Sequence, residues 1–240
     1  MAINLPGELS WVLNMLGFDW PEIDEDELRL AADYVRQFDE DLTSMLNKVE
    51  GSVTSDIATA FESKASSAVQ EAWTENRTSN LNKLVELLDP AAVGMELIAS
   101  TVEALKLKVI AELVITAAQI AAAVASSFVT FGLGAAANVA LIAARKKAMT
   151  FAVNVIIEQI LLQVMDIFED QIANGMSTLI GRILDSPVTQ NVAGDPTSYQ
   201  ADVEALEQIA SDMDSAGTDF ERVSDDFTTK MSSLEIFTGV

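Results

Sequence analysis

Along most of this chain apolar residues recur three and four positions apart, the spacing that lines one face of a helix. No run alternates apolar and polar residues between turn signals, so no strand is expected. The first predicted helix is short, from Glu8 to Leu16, and stops at Gly17. Trp20-Pro21 then imposes an extended step. Asp24 with Glu27 three residues later has the signature of a helix start. From there to Glu50 two rows repeat every seven residues: Leu28, Val35, Leu42 and Val49 form one, Ala31, Phe38 and Met45 the other. Such rows make a narrow seam for a partner helix. Gly51 predicts a break or kink, followed by a helix from Val53 to Leu88 with a stripe through Ile57, Phe61, Trp73 and Leu84. Asp89-Pro90 reads as a fresh start, a cap and then proline at the first helical position. That helix is expected to reach Phe131, and a fourth to run from after Gly134 to about Leu184.

Residues 186–198 carry two prolines and a glycine and read as a linker. They divide the chain into a helical domain, 1–185, and a C-terminal helix, 199–237, expected to pack on the bundle or on a partner. Tyr199, Leu206, Met213, Phe220, Phe227 and Leu234 stand seven apart, and Val203, Ala210, Gly217, Ser224 and Met231 form a second row four residues on. Bulky residues on one row and small ones on the other suit helix docking, with Gly217 expected to let backbones approach. The expected fold is all-α, an elongated bundle of about five long helices around a hydrophobic, Ala-rich central pair.

That central pair contains the most unusual stretch. From Leu113 to Ala144 there is no charged residue, and Glu112 is the only charge between Val109 and Ala144. Lys106 and Lys108 precede the run and Arg145-Lys146-Lys147 follow it. As a membrane hairpin turning at Phe131-Gly132-Leu133-Gly134, its first arm would suffice. The second, 135–144, is half of the roughly 20 residues a span needs. A core helix pair is therefore the expectation. The rival is a conditional membrane-inserting segment using Val124, Phe128, Phe131, Gly132 and Gly134.

Charge and composition narrow the chemistry. The net charge is −23. Acidic residues dominate both ends, while residues 101–150 hold five cations and two carboxylates. A chain so acidic is a poor ligand for nucleic acid, whose binding needs cations against phosphate. There is no histidine, which removes the commonest general base and nitrogen metal ligand, and no cysteine for a thiolate or disulfide. Carboxylate clusters at Asp24–Glu27, Asp39–Asp41 and Glu169-Asp170 fit solvated faces and helix caps. No catalytic residue, cofactor or metal site is expected. The N-terminus is acidic and amphipathic, without the basic-then-apolar order of a cleaved signal.

The segment from Trp11 to Leu42, with Gly17, Trp20-Pro21 and Asp24-Glu25-Asp26 in fixed order, resembles the opening of the WXG-like N-terminal domains that front actinobacterial polymorphic toxins. The tract from Leu107 to Ala121 is similar to the hydrophobic helix that follows there, and the likeness extends over roughly residues 1–180. Similar domains include the channel-forming N-terminal half of a mycobacterial outer-membrane toxin. The resemblance implies a non-catalytic, export-guiding helical domain of type VII secretion. Two motifs of that family are not matched. Trp73 is followed by Thr74 and Glu75 rather than a glycine turn, and the residues four after Tyr34 and Tyr199 are Phe38 and Val203.

The expectation is a protein secreted or placed at the cell surface without a cleaved signal. It would act by helix–helix docking with a helical partner, itself, the type VII machinery or a cognate toxin. Trp11, Trp20, Tyr199, Leu206, Met213, Gly217, Phe220, Phe227 and Leu234 are the candidate docking residues. The alternative is an α-helical pore former using 109–144.

Overall fold

The structure is a computed structural model that describes residues 2–60, 64–127, 142–150, 153–155, 162 and 202–237. It is all-α. Among the described residues there is no strand, only one antiparallel bridge between Ile23 and Phe237. The helices are α1 (Ser10–Leu16), α2 (Glu25–Gly51), α3 (Ile57–Ala60), α4 (Lys64–Asn76), α5 (Asn82–Ser127) and α6 (Val203–Ser232). Residues 142–150 are also helical. The chain divides into two compact units: residues 1–30, 94–167 and 235–240, and residues 31–93 and 168–234.

Local chemistry explains the helix ends. Gly17 closes α1 with φ of 68°, a left-handed conformation that costs glycine little. Its N–H and that of Phe18 donate back to Asn14 and Leu13 carbonyls at 3.0 and 3.3 Å. Asp24 caps α2 as expected, accepting from the N–H groups of Asp26 and Glu27 at 2.9 and 3.1 Å. The Glu27 carboxylate does not close the box; it accepts from the Glu235 N–H at 3.3 Å.

Two expected interruptions differ, and one π turn was not expected. Gly51 does not break the chain, because it keeps right-handed helical angles and leads into a π-helical turn, Ser52–Asp56, that continues into α3. A second π turn, Arg77–Leu81, joins α4 to α5. Each adds a residue to the turn and rotates the apolar face instead of ending the helix. Asp89-Pro90 starts nothing, since Pro90 sits inside α5. The helix is already running from Asn82, so proline forfeits one hydrogen bond, and fully buried Ala92 follows within the same turn. The expected start at Asp195-Pro196 and the turn at Gly132–Gly134 lie outside the described residues; α6 is instead capped by Asp202, whose side chain accepts from the Ala205 N–H at 3.0 Å.

In the first unit, α1 lays Val12, Leu13 and Leu16 on Leu105, Val109 and Leu113 of α5, with Met149 closing the cluster. Beside it α2 and α5 run antiparallel. Arg29 pairs with Glu103, and Lys106 donates to Glu25 at 2.6 Å and to the Ile23 carbonyl at 2.7 Å. Glu25 and Lys106 are only 2% and 3% exposed. The Ile3 N–H also donates to Glu25, and the Lys106 ammonium lies 5.9 Å from the Trp20 ring centre. Glu112, the charge within the apolar stretch, is neutralised by Arg145 at 3.1 Å, and Gln119 accepts from the same guanidinium at 3.0 Å.

In the second unit, α2 and the helices after residue 63 are again antiparallel. The Trp73 indole N–H donates to Glu50 at 2.8 Å, and Arg77 reaches Asn47 at 3.3 Å. A core of Val53, Ile57, Ala60 and Ile209 brings α3 and α6 together, with Trp73 packed against it.

Burial works against the Glu25 charge, but the Ile3 N–H and Lys106 outweigh it and hold the carboxyl below its ordinary 4.5. A depressed folded value means that the stability this group contributes is present above 4.5 and is lost as pH falls through the folded value. Lys106→Met should cost about 3–5 kcal/mol at pH 7, because it strands a buried carboxylate. In urea titrations the gap from wild type should narrow in acid, where the stranded Glu25 becomes neutral. A gap that is small at pH 7, or constant with pH, would show that the pair does not hold this unit.

Candidate docking surface

The C-terminal heptads lie against the chain's own hairpin. The backbone N–H of Asp202 donates to the Ala60 carbonyl at 3.0 Å, and the rings of Phe38 and Phe227 stack with centroids 4.5 Å apart. Lys230 sits over the Tyr34 ring at 5.6 Å and donates to Gln37 at 3.0 Å. Rising numbers on α2 thus meet falling numbers on α6. The buried row of α6 is Ile209, Ala216 and Val223, three residues after the bulky row rather than four. Either offset alternates steps of three and four and stays on one side of a 3.6-residue helix, so packing chooses between them, and Val203 and Ala210 are left exposed.

The expected docking residues take different places. Leu206 and Met213 pack on the α3 core, Phe227 on Phe38, and Leu234 is half-buried. Phe220 is 46% exposed. Gly217 does not bring two backbones together, for a Cβ there would meet nothing within 4 Å. Trp11 is 51% exposed on α1, while Trp20 packs on the core under α1 and beside Lys106. Val124 lies in α5. Tyr199, Phe128, Phe131, Gly132 and Gly134 lie outside the described residues.

A surface not singled out from the sequence is the outer face of α5. Ala104, Leu107, Ala111, Val114, Ala118 and Ala121 are all exposed, Leu107 at 53% and Val114 at 52%. Their steps of three and four repeat a heptad seam along more than four turns of helix. Ile115, also exposed, widens it. The signal was present in the sequence, yet Ala-rich spacing fits a buried contact equally well, and only the packing of α1 on the other side separates the two. Among the described residues no group of three or more carboxylates is gathered as for a metal ion, and no helix is long and apolar enough to cross a membrane.

Residues 4–147 match the family model of the WXG100 like domain. This chain belongs to that family. No curated protein and no solved structure matches it. In the WXG100-like match the hairpin carries Trp73 within α4, across from Glu50, where its indole is a hydrogen-bonded packing residue.

Acidic crowding marks the α2 side of the second unit. Burial chiefly, then the nearby charges of Asp89 and Glu40, raises the Asp39 carboxyl above its ordinary 3.8, against a hydrogen bond from Thr43. Its Oδ1 is buried without a hydrogen-bond partner among the described residues. A raised folded value means the penalty is in force above it and disappears below 3.8. Asp39→Asn should therefore raise the melting temperature at pH 7 by about 2 °C, and the gain should vanish in acid. An unchanged or lower Tm at pH 7 would contradict this account of the site.

Proposed function

We propose that this protein is a non-catalytic helix-docking component associated with type VII secretion, and that the outer stripe of α5 receives a helical hairpin of a partner. The observation that carries the reading is the exposed seam from Ala104 to Ala121 on a WXG100-like hairpin. Apolar surface contributes roughly 25 cal/mol per Å² when covered, before association costs are subtracted. An exposed row of this length is therefore a strong driving force once a complementary helix arrives. Ala at alternate positions lets that helix come close, while Leu107 and Val114 supply the larger contacts. Lys108 flanks the stripe, exposed and with no ion pair among the described residues, and favours a partner with a carboxylate beside its own seam. The docked protein would travel as a folded helical complex to the cell surface or medium.

The test titrates the purified chain with small helical-hairpin proteins of the WXG100 kind. Calorimetry should detect a one-to-one complex. Leu107→Glu with Val114→Glu should weaken it at least about 100-fold, since two buried unpaired charges are placed at its centre. Helical content by circular dichroism should be unchanged, because both positions are exposed. Binding indifferent to this double change would refute the α5 stripe. In a secretion-competent strain the chain should reach the medium only when the type VII ATPase is present.

A further inference from the structure

The α6 contact has a feature that its heptad pattern conceals. Both helices that meet there are acidic. From Val203 to Ser232, α6 carries eight carboxylates against two cations. The opposing stretch of α2, residues 31–51, carries five against two. Asp41 and Asp226 line one shallow groove between them, and Lys230 is the cation that enters it. That single ammonium serves Asp226 at 2.6 Å, Gln37 and the Tyr34 ring together. The apolar part of the contact is thin. Ile209, with Leu206 and Met213, packs on the α3 core; beyond it only Ala216 and Val223 of α6 are buried, Phe227 stacks on Phe38, Phe220 is half exposed, and beside Gly217 there is open space. Repulsion between like charges thus opposes a modest burial.

We propose that α6 is a removable cover on α2, and that the face it occupies takes an amphipathic helix whose flanks are basic. Such a helix keeps the same apolar contacts to Phe38 and Tyr34 and replaces repulsion by attraction toward Asp33, Asp41 and their neighbours. α6 regulates access: it shields the apolar row of α2 until a helix of complementary charge displaces it. This rests on the docking reading only in that the incoming ligand is a helix; the surface is not the α5 stripe. Electrostatic displacement also carries a signature, since exposed charges are screened by salt.

The chain has no cysteine, so Ser44→Cys and Thr218→Cys, both exposed and uncharged, place one spin label on each helix of the full-length protein. The probe is a synthetic peptide of the α6 sequence with its eight carboxylates replaced by lysine. It should bind about tenfold or more tightly than the native-sequence peptide at low salt, and the fixed distance that docked α6 sets between the labels should be lost. Raising salt from about 0.05 to about 0.5 M should restore it. A scrambled peptide of the same composition should leave the distance unchanged. The inference is overturned if the charge-inverted peptide leaves the distance in place or works no better than its scrambled form. Leu107→Glu with Val114→Glu separates the two proposals. The peptide response should survive there, and its loss would place the peptide on α5 and sink the cover.

Discussion

Lys106 and Glu25 sit together out of water, 2.6 Å apart, and the first unit is arranged around keeping both satisfied. Removing two charges from water costs several kcal/mol each, so the pair is tolerable only with further hydrogen bonds. The structure supplies them from different parts of the chain: the Ile3 N–H to the carboxylate, and the Ile23 carbonyl to the ammonium. These bonds set the register of α2 against α5 and fix where the first residues of the chain lie. With that register set, Leu105, Val109 and Leu113 face α1, and the opposite edge of α5 is left in water. The exposed stripe is thus a consequence of which side the ion pair turns inward.

The second unit solves a different problem. Its core is small and is shared between α3 and α6 through Val53, Ile57, Ala60 and Ile209. Polar groups fill much of the remaining contact, as with Trp73 on Glu50 and Arg77 among asparagines. A seam built this way specifies which residues meet more than it adds stability, because each hydrogen bond replaces one to water. The two π turns belong to the same logic. A turn with one extra residue moves the following side chains around the helix without ending it, so apolar rows that drift are brought back to the core.

Much of this was legible in the residues. Gly17, Asp24 and the sevenfold spacing from Leu206 to Leu234 gave a helix end, a helix start and the long terminal helix, since each reflects chemistry between near neighbours in sequence. The row offset was not, because Val203, Ala210 and Gly217 are as small and apolar as Ile209, Ala216 and Val223, and only contact with α2 chooses between them. Gly51 and Pro90 carry strong local preferences against helix, yet flanking packing overrides both. The Glu25–Lys106 pair was invisible for another reason: its partners are 81 residues apart, and nothing in either neighbourhood names the other. The WXG100-like membership was readable from the opening tryptophans and acidic cap, and the tryptophan of α4 packs as its place in the apolar stripe suggested.

Net charge then bears on what the α5 stripe, as the proposed docking surface, would meet. An apolar row this exposed would ordinarily draw two copies of a protein together. Each copy here brings a charge of −23, so self-association must work against a large repulsion, while the stripe lies in the one region where cations outnumber carboxylates. Residues 101–150 hold five cations and two carboxylates, and several are already paired: Lys106 with Glu25, Arg145 with Glu112. Lys108 remains beside the stripe. A partner less acidic than this chain, with an apolar heptad seam and a carboxylate at its margin, loses little to repulsion and gains the same burial. Electrostatics therefore separates an unlike helical partner from a second copy, even though the apolar contacts of the stripe do not distinguish them.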